Sequence, residues 1–153
     1  MIMDITRKIR ERGNKMKKLT VRGISTHEES KGEWKYGYLI EDEGISYIIN
    51  SVVEANDEYI TIGEWCSVDP ETLGISTGVP DEDGTEIFEG DIVRQVRTQP
   101  TTENETITGV VTMIEGAWLI MNDNKQLASY LWSETDKNEV IGSIYENPEL
   151  LEE

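Results

Sequence analysis

Two turn signals lie a few residues apart in residues 76–93, STGVPDEDGTEIFEGDIV, between short hydrophobic runs. The first, Pro80–Gly84, combines a proline that restricts φ, carboxylates that accept local hydrogen bonds, and a glycine that tolerates positive φ. Thr85–Phe88 then has an extended pattern, and the Glu89–Asp91 turn precedes the apolar pair Ile92-Val93. The segment predicts a strand, a tight turn, a very short strand, a second turn and a new strand. It indicates a β-rich fold and specifies no chemistry.

Alternating hydrophobic residues predict antiparallel hairpins on both sides of this segment. Trp34, Tyr36, Tyr38 and Ile40 alternate with other residues, and a turn at 41–44 leads back into a strand at 45–49. Strands at 92–97, 107–114 and 117–121 follow, the last two joined by the turn Glu115-Gly116. We expect the alternating rings to pack in the core, because aromatic side chains bury large areas. The later strand order resembles an SH3-like barrel meander.

The rest of the chain is less regular. Short strands are predicted at 19–24, 59–63 and 74–77, and a closing strand at 140–145. Residues 126–138 carry apolar side chains at spacings closer to a helix than to a strand, and a covering loop is the alternative. Pro148–Leu151 is predicted to be a terminal helical turn with Asn147 as its cap.

The central segment TGVPDEDGTEIFEGDIV resembles the signature of the YopX family, small proteins of phages and prophages. Three other segments match in order: VRG at 21–23 with EWKYGYLI at 33–40, VDPETLG at 68–74, and VIGSIYENPELLE at 140–152. The resemblance implies a mainly β, multi-sheet fold with sandwich and barrel features, encoded by a mobile element, with no established activity and no catalytic residues. The positions of the motif to which we assign a structural role are Thr77, Gly78, Gly84, Glu89, Gly90, Asp91, Ile92 and Val93.

Chain length and composition limit the class of protein. With 153 residues, one domain is the default, and a chain of that size buries roughly 70% of the surface that its unfolded form exposes. The single cysteine excludes an internal disulfide and is typical of a reducing compartment. No apolar run approaches the roughly 18 residues of a membrane helix. We therefore expect a soluble cytoplasmic protein with no membrane partner, and the YopX resemblance implies that the cell is a bacterial host.

Positive and negative charges are segregated along the chain, whose net charge is −17. Residues 1–22 hold eight basic and two acidic side chains, a net charge of +6. The remaining residues hold six basic and 29 acidic side chains, a net charge of −23. The acidic body is not expected to bind nucleic acid, whereas the basic segment could contact nucleic acid, an acidic partner or the body of another copy.

We divide the chain into a basic amphipathic arm, residues 1–18, and a β domain, residues 19–153. In the arm, Ile2, Ile5 and Ile9 recur at helical spacing, which predicts one short helix that needs a docking surface to be stable. Three interpretations stay open: an extension upstream of a start at Met16, docking on the acidic body or a sister subunit, and contact with nucleic acid. The candidate interaction residues of the arm are Arg7, Lys8, Arg10, Arg12, Lys15, Lys17 and Lys18.

Four features were weighed as chemical sites, and each has a structural interpretation that we favour. Cys66 has no basic neighbour in sequence to lower its pKa and is predicted to be a buried thiol. His27 lies in a polar loop with no second histidine to share a metal. Asp81 and Asp83 alternate as in a calcium loop, but Gly84 comes too early, so a solvated β-turn is predicted. Glu89 and Asp91 suggest an acid/base pair, but Gly90 between them and Ile92-Val93 after them favour a structural turn in which Asp91 accepts backbone N–H groups. We predict no catalytic, metal or cofactor site.

Three classes of function remain. The first is a non-enzymatic phage or prophage accessory protein that binds a protein partner or self-assembles; a variant has the acidic body mimic nucleic acid on a host protein. The second is a nucleic-acid-associated protein that uses residues 7–22, with an affinity that falls steeply with salt. The third is an enzyme, which needs carboxylates with raised pKa values converging in a pocket. The first is the one we expect.

Overall fold

A computed structural model describes residues 19–101 and 103–153. The strands, in chain order, are β1 (Val21–Ile24), β2 (Trp34–Asp42), β3 (Ile45–Ile49), β4 (Val52–Ala55), β5 (Ile60–Ile62), β6 (Trp65–Val68), β7 (Gly74–Pro80), β8 (Glu86–Phe88), β9 (Asp91–Val96), β10 (Thr106–Ile114), β11 (Ala117–Asn122), β12 (Leu127–Tyr130) and β13 (Lys137–Ser143). Short 3₁₀ helices span Pro70–Thr72, Asp123–Lys125 and Pro148–Leu151. The predicted N-terminal helix and the candidate residues of the arm lie outside the described residues.

The strands form two larger sheets and a two-stranded ribbon. Sheet 1 has the order β6-β3-β2-β1-β7-β8, and sheet 2 has the order β12-β11-β10-β9-β13. The ribbon consists of β4 and β5. The prediction of a mainly β, multi-sheet fold is confirmed. The barrel feature is wrong, because in the described part of the chain no sheet closes on itself: β12 and β13 remain the two edges of sheet 2.

The predicted hairpins are present, and their turn chemistry explains why. In the turn between β2 and β3, Glu43 has φ 47° and Gly44 has φ 81°. In the turn between β10 and β11, Glu115 has φ 49° and Gly116 has φ 81°. Two successive positive φ values give the backbone twist that suits a two-residue hairpin loop, and glycine in the second position adopts it at little cost.

The buried apolar side chains form two clusters. The first joins Ile87 of β8 in sheet 1 to side chains on and beside the strands of sheet 2, and its members are Ile87, Val93, Val111, Ile120 and Leu131. In sheet 1, Val21, Ile48 and Val68 form a second cluster, and Leu73 packs against it. The β8–β9 turn therefore lies where the two sheets meet, because it follows β8 of sheet 1 and begins β9 of sheet 2.

Three predictions about elements are corrected. Residues 127–130 form strand β12 rather than a helix or loop, because the main chain of β12 pairs with β11. Buried Gln95 also stabilises β12, because its Nε2 donates to the Tyr130 carbonyl over 3.0 Å and its Oε1 accepts from the Ser129 hydroxyl over 2.8 Å. Strand β13 begins at Lys137, three residues earlier than predicted. The third correction concerns a side chain only: Asn147 is the N-cap residue of the terminal 3₁₀ helix, as predicted, but its Oδ1 accepts from the Ser143 backbone N–H and makes no capping hydrogen bond.

Candidate functional site

The Glu89–Asp91 turn of the family motif connects the two sheets. Gly90 has φ 88°; its N–H donates to the Val111 carbonyl over 3.0 Å and its own carbonyl accepts from Ile144 N–H over 2.9 Å. Asp91 Oδ2 accepts the Phe88 backbone N–H over 2.8 Å, and Ile92 and Val93 are fully buried. The prediction of a structural turn whose aspartate accepts a backbone N–H is therefore confirmed.

The sequence interpretation missed the partner of Asp91. Arg22 Nη2 lies 2.7 Å from Asp91 Oδ1, and the two side chains are only 6% and 4% exposed. The guanidinium carbon lies 4.1 Å from the centroid of the Trp34 ring and 4.9 Å from that of Phe88. The range 7–22 of possible nucleic-acid contacts includes Arg22, and this is wrong for Arg22, because its guanidinium is buried and paired with Asp91. The signal that could have identified it is the co-occurrence of VRG with EGDIV in the resemblance.

Burial changes the pKa values of Asp91 and Tyr145. Removal from water raises the pKa of Asp91, and the neighbouring Arg22 charge and the Phe88 N–H only partly oppose the rise. Burial also raises the pKa of Tyr145, to which the charge of Glu89 contributes. A raised carboxyl pKa is a mark of catalytic sites, but here the Asp91 carboxyl is almost entirely buried and paired with Arg22. The arrangement favours a structural ion pair.

The raised pKa of Asp91 predicts a specific dependence of stability on pH. Between its ordinary value of 3.8 and the raised folded-state value, the folded protein binds more protons than the unfolded chain, so the contribution of Asp91 to stability falls as the pH rises. The free energy of unfolding of the wild type minus that of Asp91→Asn should therefore decrease with rising pH across this window and become constant above it. Urea titrations at successive pH values measure it. A difference that grows with pH would mean that Arg22 outweighs burial.

The Asp81 turn is less solvated than predicted. Asp81 is buried: its Oδ1 accepts the Asp83 and Thr85 N–H groups over 2.9 and 2.8 Å, and its Oδ2 accepts Val140 N–H over 3.2 Å. The carboxylate thus attaches the β7–β8 turn to β13, which explains its burial. Gly84, with φ 84°, completes the turn. Within residues 19–101 and 103–153, no cluster of three or more potential ligands could hold a metal.

The other motif positions and reactive side chains also have structural partners. Thr77 Oγ1 donates to the Ile87 carbonyl over 2.8 Å, and Gly78 next to it has φ 73°. Cys66 is buried with its Sγ 3.1 Å from Ser25 Oγ, which confirms the prediction of a buried thiol. His27 remains in its exposed loop, where Nδ1 accepts the Glu29 N–H over 3.4 Å. The structure brings none of these side chains together with the Arg22–Asp91 pair.

The aromatic stripe of β2 is only partly buried, which corrects the prediction that it packs in the core. Trp34 covers Arg22, and Tyr36 meets Phe88 edge to face with centroids 5.4 Å apart, yet Tyr36 is 46% exposed. Tyr38 is 48% exposed. In the strand register, Tyr38 is opposite Ile49, which is in turn opposite Trp65, so Tyr38 and the exposed Trp65 lie on one face of sheet 1. We call this face, with Ile40 and Ile45, the aromatic face.

The ribbon is the most exposed apolar feature of the described residues. Residues 50–62 are exposed at every position. Val53 is 73% exposed and Ile60 is 66% exposed, and Val52 and Ile62 form a directly opposed pair. The register links the ribbon to sheet 1, because Asn50 N–H donates to the Glu64 carbonyl over 2.8 Å at the end of the β3–β6 ladder. The ribbon thus continues β3 and β6 beyond the sheet and carries its apolar side chains into solvent.

These features define an all-β protein of several sheets, with a buried ion pair between its sheets and an exposed apolar ribbon. A family model described as YopX protein matches residues 9–152, so the chain belongs to the YopX family. The crystal structure of protein EF1440 from Enterococcus faecalis is similar, with a TM-score of 0.53 and 23% identity, over 87% of this chain and 97% of that one. This likeness shows the fold. No curated protein matches the chain. In the part of the chain that the structure describes, no helix has the length and apolar character needed to span a membrane.

Proposed function

We propose that this YopX-family protein is a non-enzymatic accessory protein of a phage or prophage that works in the bacterial cytoplasm by binding protein through its ribbon. The first partner that we assign to the ribbon is a second copy of the chain. The observation that carries the proposal is the exposure of every residue from 50 to 62, although this run contains Val52, Val53, Tyr59, Ile60 and Ile62.

A ribbon of this kind gains stability from a partner. An isolated two-stranded hairpin is marginal in water, and in the described chain neither outer edge of β4 or β5 pairs with another strand. Free strand edges are templates for pairing with a further strand. Two identical ribbons can pair edge to edge around a two-fold axis, which gives a closed, self-complementary contact.

The aromatic face lies next to the ribbon and extends the same proposed interface. Trp65 begins β6 directly after the ribbon, and Tyr47 meets it edge to face with centroids 5.6 Å apart. Tryptophan and tyrosine are enriched at the energetic centres of protein interfaces. Ribbon and aromatic face together form one apolar surface at the β6 side of sheet 1.

The same reasoning supports a non-catalytic role. The carboxyl group with a raised pKa, Asp91, is occupied by Arg22 and shielded from solvent. In Asp81, the other buried carboxylate of the motif, both oxygens accept hydrogen bonds from backbone N–H groups. These two buried carboxylates therefore have structural partners, which supports a non-catalytic role for them.

Light scattering over a range of protein concentrations tests the proposal. The double variant Val53→Thr/Ile60→Thr keeps β-branched residues in the ribbon and removes apolar surface at both positions. Each change should remove about 1.4 kcal/mol of burial in each copy, about 5.6 kcal/mol for the four substituted side chains of a dimer, so the self-dissociation constant should rise by as much as about ten-thousandfold. The matched control is Met113→Thr on β10, an exposed apolar side chain that belongs to sheet 2 and not to the ribbon.

The dependence on salt distinguishes self-association through the ribbon from association through the basic arm. The ribbon carries Glu54, Asp57 and Glu58, so two copies bring like charges together and added salt should strengthen self-association. Association through the arm should instead weaken with salt. A wild-type chain that stays monomeric at its highest soluble concentration would overturn the assignment of a second copy as partner, and so would a double variant that associates as tightly as the wild type.

A further inference from the structure

A groove separate from the ribbon lies between the end of β7 and the segment 132–138, with a volume of about 1070 Å³. Its apolar lining includes Val79, Pro80 and Trp132, and the Trp132 ring is 64% exposed. The groove therefore offers a partner apolar contacts at these three residues as well as polar ones.

Acidic side chains surround this apolar lining. Glu82, Glu134 and Asp136 belong to the groove, and Lys137 is the one basic residue among its lining residues. Asp136 is partly satisfied by Arg97, whose Nη1 lies 3.7 Å from Asp136 Oδ2, whereas Glu82 and Glu134 have no ion pair with a described residue. The groove therefore suits an occupant that combines apolar side chains with several positive charges.

The first residue that the structure describes, Leu19, lies at this groove. Leu19 is itself one of the lining residues, and it is exposed. The next residue is held beside β7, since the Thr20 carbonyl accepts the Ser76 N–H over 2.9 Å. Residues 1–18 are therefore attached at the edge of the groove, and they need no long linker to reach it.

The chemistry of residues 1–18 complements the groove. The segment holds seven of the chain's 14 basic residues, against two acidic ones, and carries Ile2, Ile5 and Ile9 at a helical spacing. Eighteen residues span about 27 Å as a helix, which is ample for a groove that begins at Leu19. A short tether gives an effective concentration in the millimolar range, so even a weak contact is populated.

We propose that residues 1–18 dock in the groove of their own chain, with the isoleucine side chains against Trp132 and the basic side chains beside Glu82 and Glu134. The proposal concerns a surface apart from the ribbon and does not depend on the proposed function. It assigns half of the chain's positive charge to an intramolecular contact, which makes the basic segment unavailable to nucleic acid while it is docked.

Limited trypsin digestion of the full-length protein, followed by intact mass, tests this docking. The segment is rich in trypsin sites, and docking should protect the bond after Arg12. Trp132→Ala and the charge reversal Glu82→Lys/Glu134→Lys should each speed cleavage at least tenfold. Tyr130→Ala is the matched control, because Tyr130 is an equally exposed ring outside the groove lining, and it should leave the rate unchanged.

A variant in the segment itself separates docking from damage to the fold. Ile5→Ser/Ile9→Ser leaves residues 19–153 intact and should speed cleavage after Arg12 to the same extent as Trp132→Ala. Protection should also be independent of protein concentration, because the contact is within one chain. Equal cleavage of the wild type and the Trp132 and isoleucine variants would overturn the proposal, as would protection that is lost on dilution, which indicates exchange between copies.

Discussion

Replacing Arg22 by methionine is expected to lower the free energy of unfolding by about 3–5 kcal/mol at neutral pH, since it leaves a buried carboxylate without its partner. The lost interactions are the 2.7 Å ion pair with Asp91 and the contact of the guanidinium with the Trp34 ring at 4.1 Å. Removal of the positive charge also takes away one of the influences that lower the pKa of Asp91, so that pKa should rise further. Urea denaturation followed by circular dichroism measures the loss.

The double variant Arg22→Met/Asp91→Asn identifies the cause. Asparagine can still accept the Phe88 N–H but carries no buried charge, so the double variant should be more stable than Arg22→Met alone by about 1–3 kcal/mol. The control for loss of a positive charge is Arg94→Met on β9, because Arg94 forms no ion pair with a described residue, and its effect should stay below about 1 kcal/mol. Losses that simply add in the double variant would show that the two side chains act independently.

Features encoded by neighbouring residues were predictable from the sequence, and those encoded by pairing were not. The β2–β3 and β10–β11 hairpins follow from alternation and from Gly44 and Gly116, which are local signals. The Arg22–Asp91 pair joins positions 69 residues apart, and nothing around Arg22 distinguishes it from the charges of the preceding arm. Burial of Arg22 depends on two rings from other strands, and only the fold brings them together.

The exposure of the ribbon and of the aromatic face was not predicted, for a related reason. A run such as Tyr59–Ile62 has the composition of a buried strand, and composition cannot show that its hairpin extends beyond the sheet. Similarly, alternation placed Tyr36 and Tyr38 on one face but could not show whether another layer covers that face. Exposure is decided by tertiary packing: Tyr145, which follows β13, contacts Trp34, whereas Tyr38 farther along β2 is 48% exposed.

Substitution of Gly37 by alanine is expected to cost about 4 kcal/mol and to disturb the base of the ribbon as well. Gly37 has φ 156°, a conformation that costs other residues roughly 1–3 kcal/mol. An added Cβ would collide with the Ile49 carbonyl oxygen and would lie 3.4 Å from Asn50 Cα. Both atoms are main chain at the point where β3 leaves the sheet for the ribbon, so the strand has to move, which adds an overpacking cost of about 1–3 kcal/mol.

The control is Gly32→Ala, which separates the cost of the backbone conformation from the cost of the steric collision. Gly32 also has a positive φ, 90°, but an added Cβ there meets nothing within 4 Å, so the loss should be only about 1–2 kcal/mol. Urea denaturation compares the two variants, and light scattering shows whether Gly37→Ala also weakens self-association, as expected if β3 positions the ribbon. Equal losses in the free energy of unfolding for the two variants would mean that the β3 main chain shifts at Ile49 at little cost. In that case the ribbon would not be held rigidly by sheet 1, and its pairing with a second copy would have to depend on the ribbon alone.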